Sequence, residues 1–126
     1  INDAMRMAPK WLIVGEVRNG DAALALFNAQ MSDHPGLSTY NAEGPQEAVF
    51  RLGVHMFQTR NAIRMEAAKA TFALAVDLVV QVGWQDGRRQ ILGVWEVDGM
   101  RGGDVKFNAL YTVGQEAMTP CQKVRR

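Results

Sequence analysis

A carboxylate that follows an apolar run is the first candidate for chemistry in this sequence. Residues 11–14 read Trp-Leu-Ile-Val, and the next four residues are Gly15, Glu16, Val17 and Arg18. An uninterrupted apolar run is typical of a strand buried on both faces, as in α/β sheets. The carboxyl ends of such strands form the crevice in which open α/β sheets bind ligands. Glu16 is therefore a candidate site residue, and a solvated carboxylate at a strand end is the alternative interpretation.

Histidine and cysteine add little further chemistry. The two histidines and the one cysteine lie far apart in the sequence and form no metal-ligand spacing. His34 precedes Pro35 and is interpreted either as a site residue or as a turn residue with a solvated imidazole, whereas His55 is interpreted as structural. Cys121 cannot form an internal disulfide, which favours a reducing compartment and a cytoplasmic location.

Length and charge limit the classes of function. The chain has 126 residues, which predicts one domain or a piece of one. Fourteen Lys and Arg against thirteen Asp and Glu leave a net charge of +1, so no direct nucleic-acid binding is expected. The longest apolar runs fall far short of the roughly 20 residues that a transmembrane helix needs. The first residues carry no signal sequence and do not begin with methionine.

Helices and strands must position Glu16. Turn and capping residues at 19–21 predict a helix over residues 22–31, and a second strand is expected over residues 37–42. Pro45 suits the first turn of a helix that extends to about residue 58. A further helix is predicted from there to about residue 76.

The final third has the pattern of antiparallel strands. Residues 77–84 and 90–97 are β-branched and aromatic, and the Asp86-Gly87 pair between them predicts a tight hairpin turn. A second turn is predicted at residues 98–103, followed by a strand over residues 105–110. These strands form a predicted β-meander in which Trp84 and Trp95 pack across the hairpin.

Three stretches of the chain share the pattern of one protein family. Residues 6–18, 38–49 and 75–81 follow one another in the order in which that family carries its motifs. They resemble the C-terminal part of a type II/type IV secretion traffic ATPase, the family of hexameric motors of secretion, conjugation and tight-adherence pilus assembly. The resemblance extends to about residue 112.

The resemblance implies roles for the residues around the first strand. In the family the strand that ends in Gly-Glu-Val-Arg is the Walker B element, so Glu16 would polarise the attacking water or act through Mg²⁺. Arg18 would be its charge partner near the site, or only the partner of a surface ion pair.

A second family signature, the histidine box, implies further nucleotide-site residues. His34 lies near the position of its first histidine, Ser38 and Thr39 match its hydroxyl pair, and Asn41 occupies the place of its second histidine. Asparagine forms hydrogen bonds but carries no proton or positive charge near neutral pH. The resemblance thus implies an active site that has lost one charge-sensing group.

The resemblance also implies a fold and a missing part. The expected fold is α/β, a partial RecA-like P-loop NTPase sheet from the Walker B strand onward, with helices and a C-terminal antiparallel β-meander, over residues 1–113. Residues 114–126 are expected to form a flexible tail. The sequence contains no Gly-x-x-x-x-Gly-Lys-Ser/Thr loop, and the family places that loop before residue 1. ATP and Mg²⁺ are therefore expected in the complete protein and not tightly on this chain alone.

Two functions remain open on the sequence. The first is a portion of a hexameric ATPase that powers secretion, conjugation or pilus assembly, acting with inner-membrane platform proteins and located peripherally on the inner membrane. In that case the isolated chain is expected to dimerise or exchange a strand. The second is a non-enzymatic interaction or regulatory module of such a system, which the residue at position 41 favours.

Overall fold

The chain folds as two small sheets and a helical layer around one hydrophobic core. The computed structural model describes residues 1–121. In order, its elements are α1 (Asn2–Met5), β1 (Leu12–Val14), α2 (Gly20–Met31), β2 (Gly36–Ser38), α3 (Pro45–Phe57), α4 (Met65–Ala75), β3 (Leu78–Gln85), β4 (Arg88–Arg101) and β5 (Asp104–Thr112). No helix within residues 1–121 combines the length and hydropathy needed to cross a bilayer.

The first sheet consists of β1 and β2, which pair in parallel and are joined by α2. The predicted cap of α2 is confirmed, since the Asn19 side chain accepts a hydrogen bond from the Ala22 amide at 2.9 Å. The expectation that β1 is buried on both faces is wrong. Leu12 is buried, but Ile13 is 75% exposed. Within the described residues β1 pairs with β2 alone, and the core covers one face of the pair.

The helices α3 and α4 supply much of the core. Pro45 lies in the first turn of α3, as predicted, because a proline there removes no intrahelical hydrogen bond. Gly53 of α3 lies against the Met65 side chain, so the two helices approach closely. The buried apolar cluster comprises Val17, Ala23, Leu26, Phe27, Val49, Leu52, Met56, Ala68, Phe72, Ala73 and Val97.

The second sheet is the predicted antiparallel meander, with strand order β3-β4-β5. Its first turn falls at Asp86-Gly87 as expected, and both residues have positive φ, 51° and 70°. The second predicted turn begins too early. Gly99 lies inside β4, at a register shift between Val97 and Met100, and the chain reverses only after Arg101. A glycine at φ 74° produces a bulge here and does not end the strand.

The two tryptophans of the meander do not pair. Trp84 lies opposite Arg89 and Trp95 lies opposite Val79, so the expected aromatic pair across the hairpin is wrong. The turn at residues 86–87 places Trp84 beside the hairpin turn and Trp95 six residues beyond Arg89 along β4, which separates the two rings. Trp84 instead has the Arg89 guanidinium 5.7 Å from its ring centroid, a distance at which cation–π attraction operates.

Candidate functional site

The backbone around Glu16 is held by the segment that follows β2. Because β1 and β2 are parallel, their carboxyl ends meet at the same edge of the sheet. The Thr39 hydroxyl donates to the Gly15 carbonyl oxygen. The Val17 amide donates to the Thr39 carbonyl oxygen at 3.0 Å. One residue thus fixes the chain on both sides of Glu16.

The Glu16 carboxylate is accessible to solvent. Arg18 Nε donates to its Oε2 at 2.7 Å, and the side chains are 45% exposed for Glu16 and 80% exposed for Arg18. An ion pair in that setting contributes only about 0–1 kcal/mol to stability. The pair therefore orients the carboxylate and leaves it open to a ligand or a water molecule.

A cleft of about 340 Å³ begins beside this edge. One wall is the chain from Ser38 to Ala42, and the opposite wall is β3 from Leu78 to Val82. Its base includes the side chains of Val17, Phe27, Leu52 and Phe72. The cleft therefore has an apolar base between the segment that begins at the end of β2 and the strand β3 of the other sheet.

Tyr40 anchors the first wall of the cleft to α3. Its hydroxyl lies 3.3 Å from His55 Nδ1, and the direction of that hydrogen bond depends on the imidazole tautomer. The two rings meet edge to face with centroids 6.1 Å apart. Burial raises the pKa of the Tyr40 hydroxyl above its usual value, and the nearby Arg51 guanidinium opposes that shift. His55 is therefore a structural partner of the cleft wall.

The candidate residues from the sequence fall at two ends of the first sheet. Ser38, Thr39 and Asn41 lie at or beyond the end of β2 and line the cleft. His34 precedes β2, and its Nδ1 lies 2.9 Å from the Ser32 carbonyl oxygen. The structure therefore brings the hydroxyl pair and Asn41 to the edge that carries Glu16, and places His34 at the opposite edge.

Two contacts of the site have no local signal in the sequence. The Gln81 amide donates to the Glu43 carbonyl oxygen, which links β3 to the chain that precedes α3. The Thr39 hydroxyl bond to Gly15 joins residues 24 positions apart. Periodicity detects neither contact, because both depend on how distant segments pack.

The donor set at this edge suits one side of a magnesium–nucleotide site. Mg²⁺ binds through one or two carboxylates together with phosphate oxygens and water. Glu16 supplies one accessible carboxylate, and Ser38 and Asn41 add oxygen atoms nearby. Within residues 1–121 no cluster of three acidic, histidine or cysteine side chains is arranged to hold a metal.

The chain is a mixed helix and strand domain. It contains a parallel βαβ unit, β1-α2-β2, and an antiparallel meander, β3-β4-β5. A family profile described as "Type II/IV secretion system protein" matches residues 1–81. The chain belongs to this family.

Individual relatives agree with that assignment. The chain is 31% identical over 102 residues to "Conjugal transfer protein TrbB" of Rhizobium radiobacter, covering 80% of this chain and 30% of that protein. It is 29% identical over 102 residues to "Type IV secretion system protein PtlH" of Bordetella pertussis, covering 77% of this chain and 30% of that protein.

A solved structure has the same fold. The VirB11 ATPase from the Brucella suis type IV secretion system, determined in complex with sulphate, superimposes with a TM-score of 0.67 at 29% identity. The match covers 75% of this chain and 31% of the VirB11 chain. The chain thus spans about a third of the length of these relatives or less.

Proposed function

We propose that this chain is the part of a RecA-like ATPase domain that begins at the Walker B strand, within a hexameric motor for secretion, conjugation or pilus assembly. The observation that carries the proposal is the fixation of Glu16 by Thr39 beside the cleft. Phosphoryl transfer depends mainly on positioning and on charge stabilisation, so a carboxylate on a fixed backbone is the group it requires.

The residues at the edge have distinct proposed roles. Glu16 orients the water that attacks the terminal phosphate, and Arg18 holds the carboxylate in place. Ser38, Thr39 and Asn41 lie beside the nucleotide at the end of β2, and Thr39 acts through the backbone of Glu16. His34 belongs to the same family signature, although its imidazole lies at the other end of β2.

The cleft is the proposed position of the phosphate-binding part of the site, which this sequence does not contain. We propose that an additional strand of the complete protein lies in the cleft between β2 and β3 and carries the phosphate-binding loop. The cleft lies between the end of β2 and the edge of β3 that is unpaired within residues 1–121, and an open strand edge accepts a further strand. ATP and Mg²⁺ would then bind where that loop meets Glu16.

The proposed assembly, location and partners of the complete protein come from the family resemblance. The complete protein would assemble as a hexamer, act in the cytoplasm at the periphery of the inner membrane, and contact membrane-embedded platform proteins. Arg51, Arg60 and Arg64 are candidates for contacts with phosphates or with a neighbouring subunit. Arg51 already pairs with Glu47 at 3.4 Å.

ATP turnover by the full-length protein tests the proposal. Glu16→Gln keeps the shape of the side chain and removes its charge, and we expect the turnover rate to fall at least about 100-fold. Glu116→Gln, in the C-terminal segment, is the matched control and should retain the rate. Equal rates for Glu16→Gln and the unmodified protein would remove Glu16 from the mechanism.

The second candidate function is a non-enzymatic interaction or regulatory module. Asn41 favours it, because an amide replaces the family's second histidine on the cleft wall. A full-length protein that binds a fluorescent ATP analogue without turnover, with or without Asn41→His, would support this function. Turnover by the unmodified protein would exclude it.

A further inference from the structure

Helix α3 carries an apolar stripe on the face that points away from the core. Phe50, Val54 and Phe57 are spaced at i, i+4 and i+7, which places them on one side of a helix. Phe50 and Phe57 are each 59% exposed, whereas Val49, Leu52 and Met56 on the other side are buried. Two phenylalanines on one stripe form a larger exposed apolar surface than single side chains do.

Two arginines follow the Phe57 end of this stripe. No Asp or Glu occurs between residues 48 and 65, and that segment contains Arg51, Arg60 and Arg64. Arg51 pairs with Glu47, whereas Arg60 and Arg64 are exposed and form no ion pair within residues 1–121. Two arginines that are unpaired in the described part of the chain therefore follow the Phe57 end of the stripe, and the next acidic residue along the chain is Glu66, in the first turn of α4.

The loop that carries these arginines is tied to the last turn of α3. The Thr59 hydroxyl donates to the Met56 carbonyl oxygen at 2.7 Å, and the Ile63 amide donates to the same oxygen at 3.3 Å. The Ala62 amide donates to the Thr59 carbonyl oxygen at 3.0 Å. These bonds hold the segment that carries Arg60 and Arg64 against the last turn of α3, where Phe57 lies.

We propose that the stripe and its two arginines form a docking site for an acidic amphipathic helix of a partner protein. The stripe is two turns long, about 10 Å, which matches the contact ridge of one packed helix. Apolar side chains of the partner would pack on Phe50 and Phe57, and its carboxylates would pair with Arg60 and Arg64. Glu47 borders the stripe at the other end, and this asymmetry favours localised negative charge over a uniformly anionic bilayer.

The proposal is independent of ATP hydrolysis and is tested on the chain itself. The probe is a synthetic helical peptide of about four turns with leucines at i, i+3, i+4 and i+7 and flanking glutamates, and its comparison peptide has lysines in place of the glutamates. Binding is measured by fluorescence anisotropy at concentrations where sedimentation reports a single species. We expect the acidic peptide to bind at least tenfold more tightly than the basic one.

Variants distinguish this surface from others. Phe50→Ala with Phe57→Ala should weaken acidic-peptide binding at least tenfold, whereas Leu74→Ala, at an exposed apolar residue of α4, should not change it. Arg60→Glu with Arg64→Glu should reverse the preference between the two peptides, a result that unfolding cannot produce. Circular dichroism checks that each variant keeps its helices.

Three outcomes would overturn the proposal. Equal affinity for the two peptides would show that charge does not select the partner. Unchanged affinity in the double phenylalanine variant would place the peptide elsewhere. Binding to phosphatidylglycerol vesicles, lost with Arg60→Glu and Arg64→Glu while neither peptide binds, would make the ligand a membrane surface.

Discussion

The carbonyl oxygen of Thr39 accepts the amide proton of Val17 at 3.0 Å, beyond the last residue of either paired strand. The hydroxyl of the same threonine donates to the Gly15 carbonyl oxygen. Glu16 thus lies between two residues that are bonded to one partner, and its main chain cannot move without breaking one of these bonds. The proposed catalytic carboxylate owes its position to the neighbouring strand.

Thr39→Val tests this relationship, because valine keeps the shape of the side chain and removes the hydroxyl donor. We expect the free energy of unfolding to fall by about 1 kcal/mol, the usual net value of one hydrogen bond. Thr39→Ser retains a donor and is the control. Urea denaturation of the chain measures both, and a valine variant as stable as the serine variant would mean that this hydrogen bond does not hold the strand end.

Sequence patterns predicted the parts of the fold that depend on neighbouring residues. Asn19 caps α2, Pro45 starts α3, and Asp86-Gly87 turns the first hairpin, each through contacts within a few positions. The bulge at Gly99 was predicted as a turn, because glycine suits both and only strand pairing decides between them.

The burial of a strand and the hydrogen bonds of the site depend on contacts between segments that are far apart in the sequence. The apolar run of β1 predicted burial on both faces, but one neighbouring strand and one core leave Ile13 exposed. The sequence predicted Glu16 as a candidate site residue from the apolar run before it and from the resemblance, and Thr39 from the resemblance. The hydrogen bonds that join Thr39 to the Glu16 backbone, and Tyr40 to His55, required the structure.

Gly20 is a second position at which packing sets a strict requirement. A Cβ added there would lie against the His55 backbone and 2.7 Å from Thr59 Cγ2, so α2 would be pushed away from the end of α3. We expect Gly20→Ala to lower the free energy of unfolding by about 1–3 kcal/mol, the usual cost of overpacking. Thermal or urea denaturation measures the change.

Gly44→Ala is the matched control for this substitution. Gly44 lies at the N-cap of α3, one position from the equivalent of Gly20 in α2, has extended backbone at φ 176°, and has no heavy atom within 4 Å of an added Cβ. Its alanine variant should stay within about 0.5 kcal/mol of the unmodified chain. Equal losses at both glycines would contradict the close approach of α2 to α3.

The raised pKa of Tyr40 predicts a loss of stability at high pH. Burial disfavours the charged phenolate, so the folded chain releases this proton at higher pH than the unfolded chain does. Its contribution is complete below the ordinary tyrosine pKa of 10.0 and declines as the pH rises through and beyond that value. Tyr40→Phe should therefore lose less stability between neutral pH and pH of about 11. If the free energy of unfolding changed with pH in the same way in both proteins, burial of the Tyr40 hydroxyl would not be the cause of the loss.

The exposed apolar residues of the sheets predict self-association of the isolated chain. Ile13 and Leu37 are largely exposed on adjacent strands, and Val80 is exposed on β3 beside the cleft. Open strand edges with apolar side chains tend to pair with a second copy. We expect a dimer, or an exchanged strand, in sedimentation measurements.

Charge placed on these strands should prevent that association. Ile13→Lys combined with Val80→Lys is expected to shift the chain to monomer, because a lysine at a strand edge must lose its hydration when a second strand pairs. Leu74→Lys, equally apolar and exposed but helical, should leave the dimer intact. A stable monomer of the unmodified chain at high concentration would contradict the prediction.

The cleft has a mechanical consequence. It separates the parallel pair from the meander, and the Gln81 side chain donates across it to the Glu43 carbonyl oxygen. A strand bound along both walls would hydrogen-bond to both sheets at once and join them into one continuous, stiff surface.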